Sequence, residues 1–288
     1  MSAVLTTAVL TTPAELRDAL AAGRYADGGP VRVLDVRWRL DRPDGRSAFV
    51  AGHIPGARYA DLDGQLAEHG DPSAGRHPLP SPKRLQTAVR EWGIDDGDTV
   101  VVYDEIDNLA SARAWWVLRD AGIADVRVLD GALDAWRSAG FDLAAGDPDP
   151  ARPGTAVVSP GRLPVLDVDT VLGHAERGLL LDVRAAERFR GEVEPVDPRA
   201  GHIPGAVSAP TTANLDGSGR FRRPDELRAR FAALGAEPGM AVGVSCGSGV
   251  TAAHAAVALT LAGYEPVLYP GSWSQWSQDP DRPIATGA

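Results

Sequence analysis

The sequence predicts an α/β protein made of two tandem domains, each an open, mostly parallel sheet flanked by helices. Two observations lead to this fold class. The seven residues 51–57 recur without change as residues 200–206, so the chain contains a duplication. In each half, short β-branched runs alternate with helical patterns, which is typical of parallel sheets that are covered on both faces.

The duplication spans whole domains. Residues 34–37 return as 181–184, and 101–104 have their counterpart in 243–246. These repeats lie 142 to 149 residues apart, whereas solenoid repeats run only about 20 to 50 residues. Residues 142–164 are rich in Pro, Gly, Ala and Asp and lack hydrophobic periodicity, which indicates a linker. We therefore predict domains over residues 1–150 and 151–288.

The elements are predicted in chain order. Thr12, Pro13 and Glu15 form an N-cap, a proline at the first helical position and a capping-box glutamate, so the first helix is expected to begin there. Predicted strands of the first half are residues 31–36, 100–103 and 126–129, with a helix over 110–120. In the second half, a strand over 241–245 and a helix over 253–262 lie on either side of Cys246.

Composition limits the possible partners. The 288 residues carry 29 basic and 39 acidic side chains, a net charge of −10, which provides no cationic surface for nucleic acid or anionic lipid. No window reaches the roughly 18 apolar residues of a membrane span, and residues 1–10 have no basic start. We expect a cytoplasmic protein whose partners are small molecules or other proteins, with no membrane or nucleic-acid partner.

Residues that occur in both halves are explained more simply by the fold than by chemistry. His53 and His202 lie in the repeated His-Ile-Pro-Gly segment, which is expected to form a fixed turn. At strand ends, two Asp-Val-Arg segments are expected to form local ion pairs that hold loops: Asp35 with Arg37, and Asp182 with Arg184.

The halves differ where Asp104 is replaced by Cys246, the one cysteine of the chain. A carboxylate cannot act as a sulfur nucleophile, so only the second half can carry thiol chemistry. Cys246 follows a predicted parallel strand, where open α/β sheets bind ligands. Gly247 and Gly249 let backbone N–H groups turn inward beside a helix N-terminus, a setting that favours thiolate over thiol. The alternative is an inert cysteine packed as a small hydrophobe.

Cys-Gly-Ser-Gly-Val-Thr-Ala between a strand and a helix, with Gly-His-Ile-Pro-Gly-Ala in each half, resembles the tandem-domain rhodanese family over nearly the whole chain. In that family the first domain is catalytically silent and has aspartate at the cysteine position, as Asp104 does here. Thiosulfate-using members tend to carry Cys-Arg-Lys-Gly-Val-Thr. The loop of this chain is similar to that of the 3-mercaptopyruvate sulfurtransferases, so the resemblance favours mercaptopyruvate as sulfur donor, with thiosulfate as the alternative.

The resemblance also implies site residues. Cys246 would be the nucleophile, and Ser248, His77 and Asp63 would form a relay for the proton of the donor thiol. Two arginines would hold the donor's carboxylate and ketone. Arg188 matches the first. Arg199 is the candidate for the second, with Arg190 as its alternative because the loop differs in length from the family pattern.

The chemistry implied by the resemblance is a ping-pong reaction through a Cys246 persulfide. Backbone N–H groups of Gly247, Gly249, Val250 and Thr251 would stabilise the outer sulfur. The Thr251 side chain would either bond this sulfur or cap the following helix, and we expect the cap. Cyanide, a small thiol or reduced thioredoxin would accept the sulfur. No metal or organic cofactor is expected. Two further residues, His254 and Trp276, are interpreted as structural.

The cysteine loop allows two other interpretations. Cysteine phosphatases use a similar loop but need an arginine six residues after the cysteine, where this chain has Ala252. A non-catalytic sulfur carrier or partner-binding module remains as an alternative from another class. It predicts that a persulfide forms only when another enzyme donates the sulfur.

Overall fold

The structure, a computed structural model, describes residues 8–288, and its internal contacts divide the chain into two compact units. The first contains the described residues up to Leu66 together with Pro80–Arg162, and the second contains Ala67–Leu79 and Leu163–Ala288. Residues 1–7, on which part of the localisation prediction rests, lie outside the described residues.

This division by contacts differs from the sequence-based boundary near residue 150. Residues 151–162 belong to the first unit, where the N–H of Gly154 donates to the carbonyl of Arg90 and that of Ser159 to the carbonyl of Ala121. The segment Ala67–Leu79, although it lies in the first half of the sequence, belongs to the second unit. The domain boundary itself stays a prediction.

The described part of the first unit contains a five-stranded parallel sheet of order β1-β5-β4-β2-β3. Its central strands are buried along their length, as the continuous apolar runs of the sequence indicated. The strands are β1 (Leu10–Thr11), β2 (Val31–Asp35), β3 (Ala57–Tyr59), β4 (Thr99–Tyr103) and β5 (Asp125–Leu129).

Helices flank this sheet. The first begins as the sequence predicted: the Thr12 hydroxyl accepts from the N–H of Glu15, and the Glu15 carboxylate accepts from the N–H of Thr12. The helices are α1 (Pro13–Ala22), α2 (Arg46–Ala51), α3 (Leu62–Gln65), α4 (Pro82–Glu91), α5 (Ser111–Asp120) and α6 (Ala132–Ser138).

The second unit has a parallel sheet of four strands among its described residues, in the order β7-β6-β8-β9. The strands are β6 (Leu179–Asp182), β7 (Val207–Ser208), β8 (Ala241–Ser245) and β9 (Glu265–Leu268). The helices are α7 (Val171–Arg177), α8 (Ala186–Phe189), α9 (Pro224–Ala233), α10 (Val250–Leu261) and α11 (Ser272–Trp276), with short 3₁₀ turns at Pro72–Ala74 and Thr211–Asn214. The predicted α/β fold class, with two parallel sheets flanked by helices, is confirmed.

The repeated His-Ile-Pro-Gly segments have the same structure in both units. Nδ1 of His53 hydrogen-bonds the carbonyl of Phe49 at 2.9 Å, and Nδ1 of His202 bonds that of Phe189 at 2.7 Å. Each imidazole also stacks on the ring of that phenylalanine. The glycines that end the two turns have φ near 80°, a conformation that favours glycine. The two histidines therefore have the structural role that the sequence predicted.

The two Asp-Val-Arg segments are also structural. Nη2 of Arg37 lies 2.8 Å from a carboxylate oxygen of Asp35, and Nη2 of Arg184 lies 2.6 Å from one of Asp182. Arg184 donates in addition to the carbonyl of Gly201, at the start of the repeated turn. Each buried pair thus joins a strand end to the loop beside it, as predicted.

The predicted linker contains neither helix nor strand between residues 142 and 164, apart from one bridge of Ala144 to His53. Trp136 and Trp276, which occupy matching positions in the repeat, are buried and donate their indole N–H to carbonyls, as expected of structural residues. In the part of the chain that the structure describes, no helix is long and apolar enough to cross a membrane.

Candidate active site

Cys246 lies between the end of β8 and the start of α10 and is 1% exposed. The N–H of Gly249 donates to its Sγ at 3.1 Å, and its own N–H donates to the hydroxyl of Ser272 at 3.0 Å. One backbone N–H group of the loop, that of Gly249, therefore points toward the sulfur, an arrangement that stabilises negative charge there.

Further donors of this loop are available for a ligand. The N–H groups of Gly247 and Ser248 have no acceptor within residues 8–288. Val250 is the first residue of α10, where N–H groups lack acceptors inside the helix. Gly249 has φ of 78°, which turns the chain sharply into the helix. These N–H groups are available to an anion bonded to Cys246.

The corresponding loop of the first unit already holds a carboxyl group. The carboxylate of Asp104, which is fully buried, accepts from four backbone N–H groups at 2.8 to 2.9 Å: those of Ile106, Asn108, Ala110 and Ser111. Burial raises the pKa of Asp104, and the four hydrogen bonds, which act to lower that pKa, offset this only in part, so the pKa is raised. In both units, the loop after the strand thus contains a cluster of backbone N–H donors, which we call the cradle. In the first unit the side chain of Asp104 occupies the cradle.

Ser248 and His77, which the resemblance placed together, are in contact. Nδ1 of His77 and the hydroxyl oxygen of Ser248 form a hydrogen bond of 2.8 Å, and both residues are 7% exposed. The segment Ala67–Leu79, which contains His77, belongs to the same unit as the cysteine loop. A histidine hydrogen-bonded to a hydroxyl two residues from the nucleophile is suited to moving a proton.

The third member of the predicted relay is an acidic residue of α3. Asp63 is in the first turn of α3, within the first unit. Its part in the relay stays a prediction.

Arg188, the first predicted donor-binding arginine, faces the cysteine loop. Its Nη1 lies 3.5 Å from the position that a Cβ on Gly247 would take. Glu194 fixes the guanidinium through two hydrogen bonds, from Nε at 3.3 Å and from Nη2 at 2.6 Å. Burial acts to raise the pKa of Glu194, but these bonds and those from backbone N–H groups outweigh it, so its pKa is lowered.

Arg199, the candidate for the second arginine, has no guanidinium N–H group left to bind the sulfur donor. All five of its guanidinium N–H groups are used, because the side chain donates to five backbone carbonyls near the C-terminus. The acceptors are Trp276, Ser277, Asp279, Pro280 and Arg282. This arginine holds the segment after α11, a role that the sequence pattern did not reveal. Arg190, its alternative, forms an exposed ion pair with Glu192.

Two predictions about α10 have different outcomes. The expectation that Thr251 caps the helix is wrong, because the helix begins at Val250 and its N-cap is Gly249. It also begins three residues earlier than the predicted Ala253. His254 is structural as predicted: it is buried, its Nδ1 hydrogen-bonds the Thr211 hydroxyl at 2.7 Å, and its ring stacks on Phe221.

Sequence reasoning missed Ser272. Its hydroxyl accepts from the N–H of Cys246, donates to the carbonyl of Tyr269 at 2.8 Å, and lies 3.9 Å from Sγ. It therefore positions the nucleophile. The matching residue of the first half is Ala132, and both have positive φ. A comparison of the two halves at this position could have found it.

Comparison with known proteins agrees with the geometry of the two units. Residues 12–139 and 167–279 each match the rhodanese-like domain family. The chain belongs to the rhodanese family. The duplicated units and the cysteine loop are thus those of a rhodanese with two domains.

Similar proteins cover nearly the full length of this rhodanese. A Mycobacterium tuberculosis protein provisionally named thiosulfate sulfurtransferase SseB is 47% identical over 97% of each chain. A Pseudomonas aeruginosa protein provisionally named 3-mercaptopyruvate sulfurtransferase is 47% identical, over 88% of this chain and 92% of its own length. The crystal structure of the Escherichia coli 3-mercaptopyruvate enzyme SseA superposes with a TM-score of 0.80 at 32% identity, covering 93% of this chain and 99% of that one. This rhodanese is a sulfurtransferase, with a small sulfur donor and a sulfur acceptor as its substrates.

Proposed function

We propose that this rhodanese transfers sulfur from 3-mercaptopyruvate to a thiol or to cyanide through a persulfide on Cys246. The observation that carries the proposal is the position of Sγ at the base of a cradle of backbone donors, which in the first unit is filled by the Asp104 carboxylate. A persulfide anion is the species that such a cradle stabilises.

In the first half-reaction, the Cys246 thiolate attacks the sulfur of 3-mercaptopyruvate. The carbon–sulfur bond breaks, and its electron pair passes to the methylene carbon as the enolate of pyruvate. The proton of the donor thiol is transferred to that carbon, so pyruvate leaves and Cys246 carries an anionic outer sulfur. The hydrogen-bonded pair of His77 and Ser248 is suited to carry this proton, with Asp63 as the proposed third member.

The second half-reaction returns the enzyme to its starting state. A nucleophile attacks the outer sulfur, the sulfur–sulfur bond breaks, and the Cys246 thiolate is the leaving group. With cyanide the product is thiocyanate, and with a thiol it is a persulfide of the acceptor. A small thiol or a reduced thioredoxin is the proposed physiological acceptor. Ping-pong kinetics are expected because the donor product leaves before the acceptor reacts.

The loop composition supports mercaptopyruvate as donor. Gly247 and Ser248 occupy the positions where thiosulfate-using rhodaneses tend to carry cations. Ser248 is also the hydrogen-bond partner of His77, and thiosulfate has no thiol proton for such a relay. The similar proteins of Pseudomonas aeruginosa, provisionally, and of Escherichia coli are named 3-mercaptopyruvate sulfurtransferases.

Thiosulfate remains the second candidate donor. The specific observation in its favour is the provisional name of the Mycobacterium tuberculosis protein, which matches 97% of this chain at 47% identity.

The first experiment is steady-state turnover of each donor separately, with cyanide as acceptor, for the wild type and for Cys246→Ser. We expect a higher kcat/KM for 3-mercaptopyruvate than for thiosulfate and loss of both activities in the variant, because serine cannot form a persulfide. A preference for thiosulfate would reverse the assignment of the donor. Absence of turnover with either donor would instead favour the alternative function, a non-catalytic sulfur carrier.

A further inference from the structure

A network of alternating charges lies beside the cysteine loop, and all its members belong to the second unit. Asp197 is central: its carboxylate pairs with Nη1 of Arg76 and lies 3.3 Å from Nη2 of Arg188. Glu194 continues the network from Arg188 to Arg184, at 3.4 Å from Nη1 of the latter. The side chains of Asp197 and Glu194 are only 1% and 4% exposed, so these pairs are poorly screened by solvent.

Asp197 holds two guanidinium groups over the same backbone position. Nη2 of Arg76 lies 3.1 Å, and Nη1 of Arg188 lies 3.5 Å, from the place where a Cβ on Gly247 would be. The backbone N–H of Arg76 donates to the hydroxyl of Ser274, which further fixes the arginine relative to α11. Both cations therefore border the space above the residue that follows the nucleophile.

The guanidinium nitrogens that lie nearest to Gly247 have N–H groups that are not used in hydrogen bonds within the described part of the chain. Among residues 8–288, Nη2 of Arg76 and Nη1 of Arg188 have no acceptor, while the other terminal nitrogen of each pairs with a carboxylate. Nε of Arg76 is buried and also has no partner in this part of the chain. Buried N–H groups in proteins are normally hydrogen-bonded, so unpaired donors beside a reactive loop indicate a ligand position.

We propose that Arg76 is the second arginine of the donor site, and that it binds the anionic group of the sulfur donor together with Arg188. The proposal rests on the proposed function and deepens it. Arg199 cannot serve here without breaking the five hydrogen bonds that it makes to backbone carbonyls. Asp197 is a positioning residue: it pairs with one terminal nitrogen of each guanidinium, so that the other terminal nitrogen lies toward Gly247.

The charge of this network favours a monoanionic donor group. It contains three guanidinium groups and three carboxylates, so its net charge is zero: Arg76, Arg184, Arg188, Asp182, Glu194 and Asp197. A single carboxylate can accept one N–H from each arginine. A dianion such as thiosulfate would bring a second negative charge close to Asp197, which is destabilising at this degree of burial. An α-keto carboxylate with a terminal thiol fits these requirements.

The test measures donor binding apart from turnover. In the Cys246→Ser background, which cannot react, the Kd of 3-mercaptopyruvate is determined by calorimetry with Arg76 intact or replaced by Gln. We expect Arg76→Gln to raise the Kd by about 10- to 100-fold, because a charge-assisted hydrogen bond is lost. The matched control is Arg223→Gln, which removes the same charge from an exposed Arg–Asp pair in the same unit and is expected to leave the Kd unchanged.

A second variant and a kinetic measurement separate binding from folding. Arg76→Lys keeps a cation beside Asp197 but lacks the planar fork, so we expect a smaller rise in Kd than with glutamine and an unchanged unfolding midpoint. With an active Cys246, Arg76→Gln should lower kcat/KM for 3-mercaptopyruvate while kcat/KM for dithiothreitol, an uncharged acceptor, stays within about twofold of wild type.

The outcomes distinguish this proposal from the proposed function. A Kd that is the same with arginine, lysine and glutamine at position 76 would overturn the assignment of Arg76, even if the enzyme turns over mercaptopyruvate. A raised Kd in Arg76→Gln supports the assignment, even if wild-type turnover proves to favour another donor.

Discussion

At the scale of single residues, Ser248 differs from the other residues of the cysteine loop because its side chain has a titratable partner. The 2.8 Å hydrogen bond to His77 joins the loop to a segment that is remote in sequence. In the proposed reaction this pair moves the proton of the donor thiol, whereas the backbone of the loop binds sulfur. Proton transfer and sulfur binding can be measured separately by comparing a donor that has a thiol proton with one that has none.

We predict that Ser248→Ala lowers kcat/KM for 3-mercaptopyruvate by about 10²-fold, the effect expected when proton transfer by a positioned side chain is lost. The turnover of thiosulfate should change much less, because its sulfur–sulfur bond breaks without any proton transfer. Steady-state kinetics with cyanide as acceptor measure both values. Ser218→Ala, in an exposed turn, is the matched control. An equal loss with both donors would show that Ser248 serves the loop structure and not the proton.

The sequence could predict some site residues and not others, for physical reasons. Cys246 was identifiable because the duplication provides a silent copy with Asp104 at the same position. Arg76 was not, because its importance depends on Asp197 and Gly247, which lie more than a hundred residues away along the chain. Arg199 looked suitable in sequence, but only the structure reveals that carbonyls of the C-terminal segment take up its guanidinium.

At the scale of elements, the two glycines of the cysteine loop have different tasks. Gly249 has φ of 78°, and a Cβ there would clash with the carbonyl oxygen of Pro270. Gly247 does not have positive φ, and a Cβ there would meet only the flexible ends of Arg76 and Arg188. One glycine is therefore required by the backbone, and the other leaves space beside the arginines.

We predict that Gly249→Ala lowers the free energy of unfolding by about 1 to 3 kcal/mol, as expected of a side chain forced into a left-handed conformation. Gly247→Ala should leave stability nearly unchanged but lower kcat/KM for the donor, because its methyl group occupies the space between the two guanidinium groups. Denaturant unfolding and donor kinetics on both variants provide the measurements. Equal loss of stability in both would contradict the distinction.

The four strands that the sequence predicted, β2, β4, β5 and β8, agree with the structure within one residue at each end, because buried parallel strands are continuous apolar runs such as that of β4. The other five strands of residues 8–288 were not predicted. The start of α10 was placed three residues late. The sequence Cys-Gly-Ser-Gly suggested a longer loop, whereas the left-handed Gly249 lets the helix begin at Val250 at once. Conformations that depend on a single glycine are weakly encoded in hydrophobic patterns.

At the scale of the whole molecule, one fold is used twice with different groups in the same cradle. Both units place backbone donors after the strand that precedes the loop, and in the first unit Asp104 uses four of them. The groups proposed to bind and protonate the donor, by contrast, belong to the second unit: His77, Arg76, Arg188 and Ser248. Asp63 is the exception. The cradle should therefore be necessary for the persulfide but insufficient for its formation.

This argument predicts that moving the cysteine to the first unit does not move the activity. In the double variant Asp104→Cys, Cys246→Ser, turnover of 3-mercaptopyruvate should stay at the level of Cys246→Ser alone, because a thiol in that cradle lacks the two donor-binding arginines. Intact-mass analysis after exposure to the donor should detect no added sulfur. Asp104→Ser in the same background controls for folding, since either change removes a carboxylate that accepts four hydrogen bonds and is expected to lower stability by about 1 to 3 kcal/mol. A persulfide on the relocated cysteine, formed at a rate near that of the wild type, would mean that the cradle alone performs the chemistry and that the charges of the second unit serve another purpose.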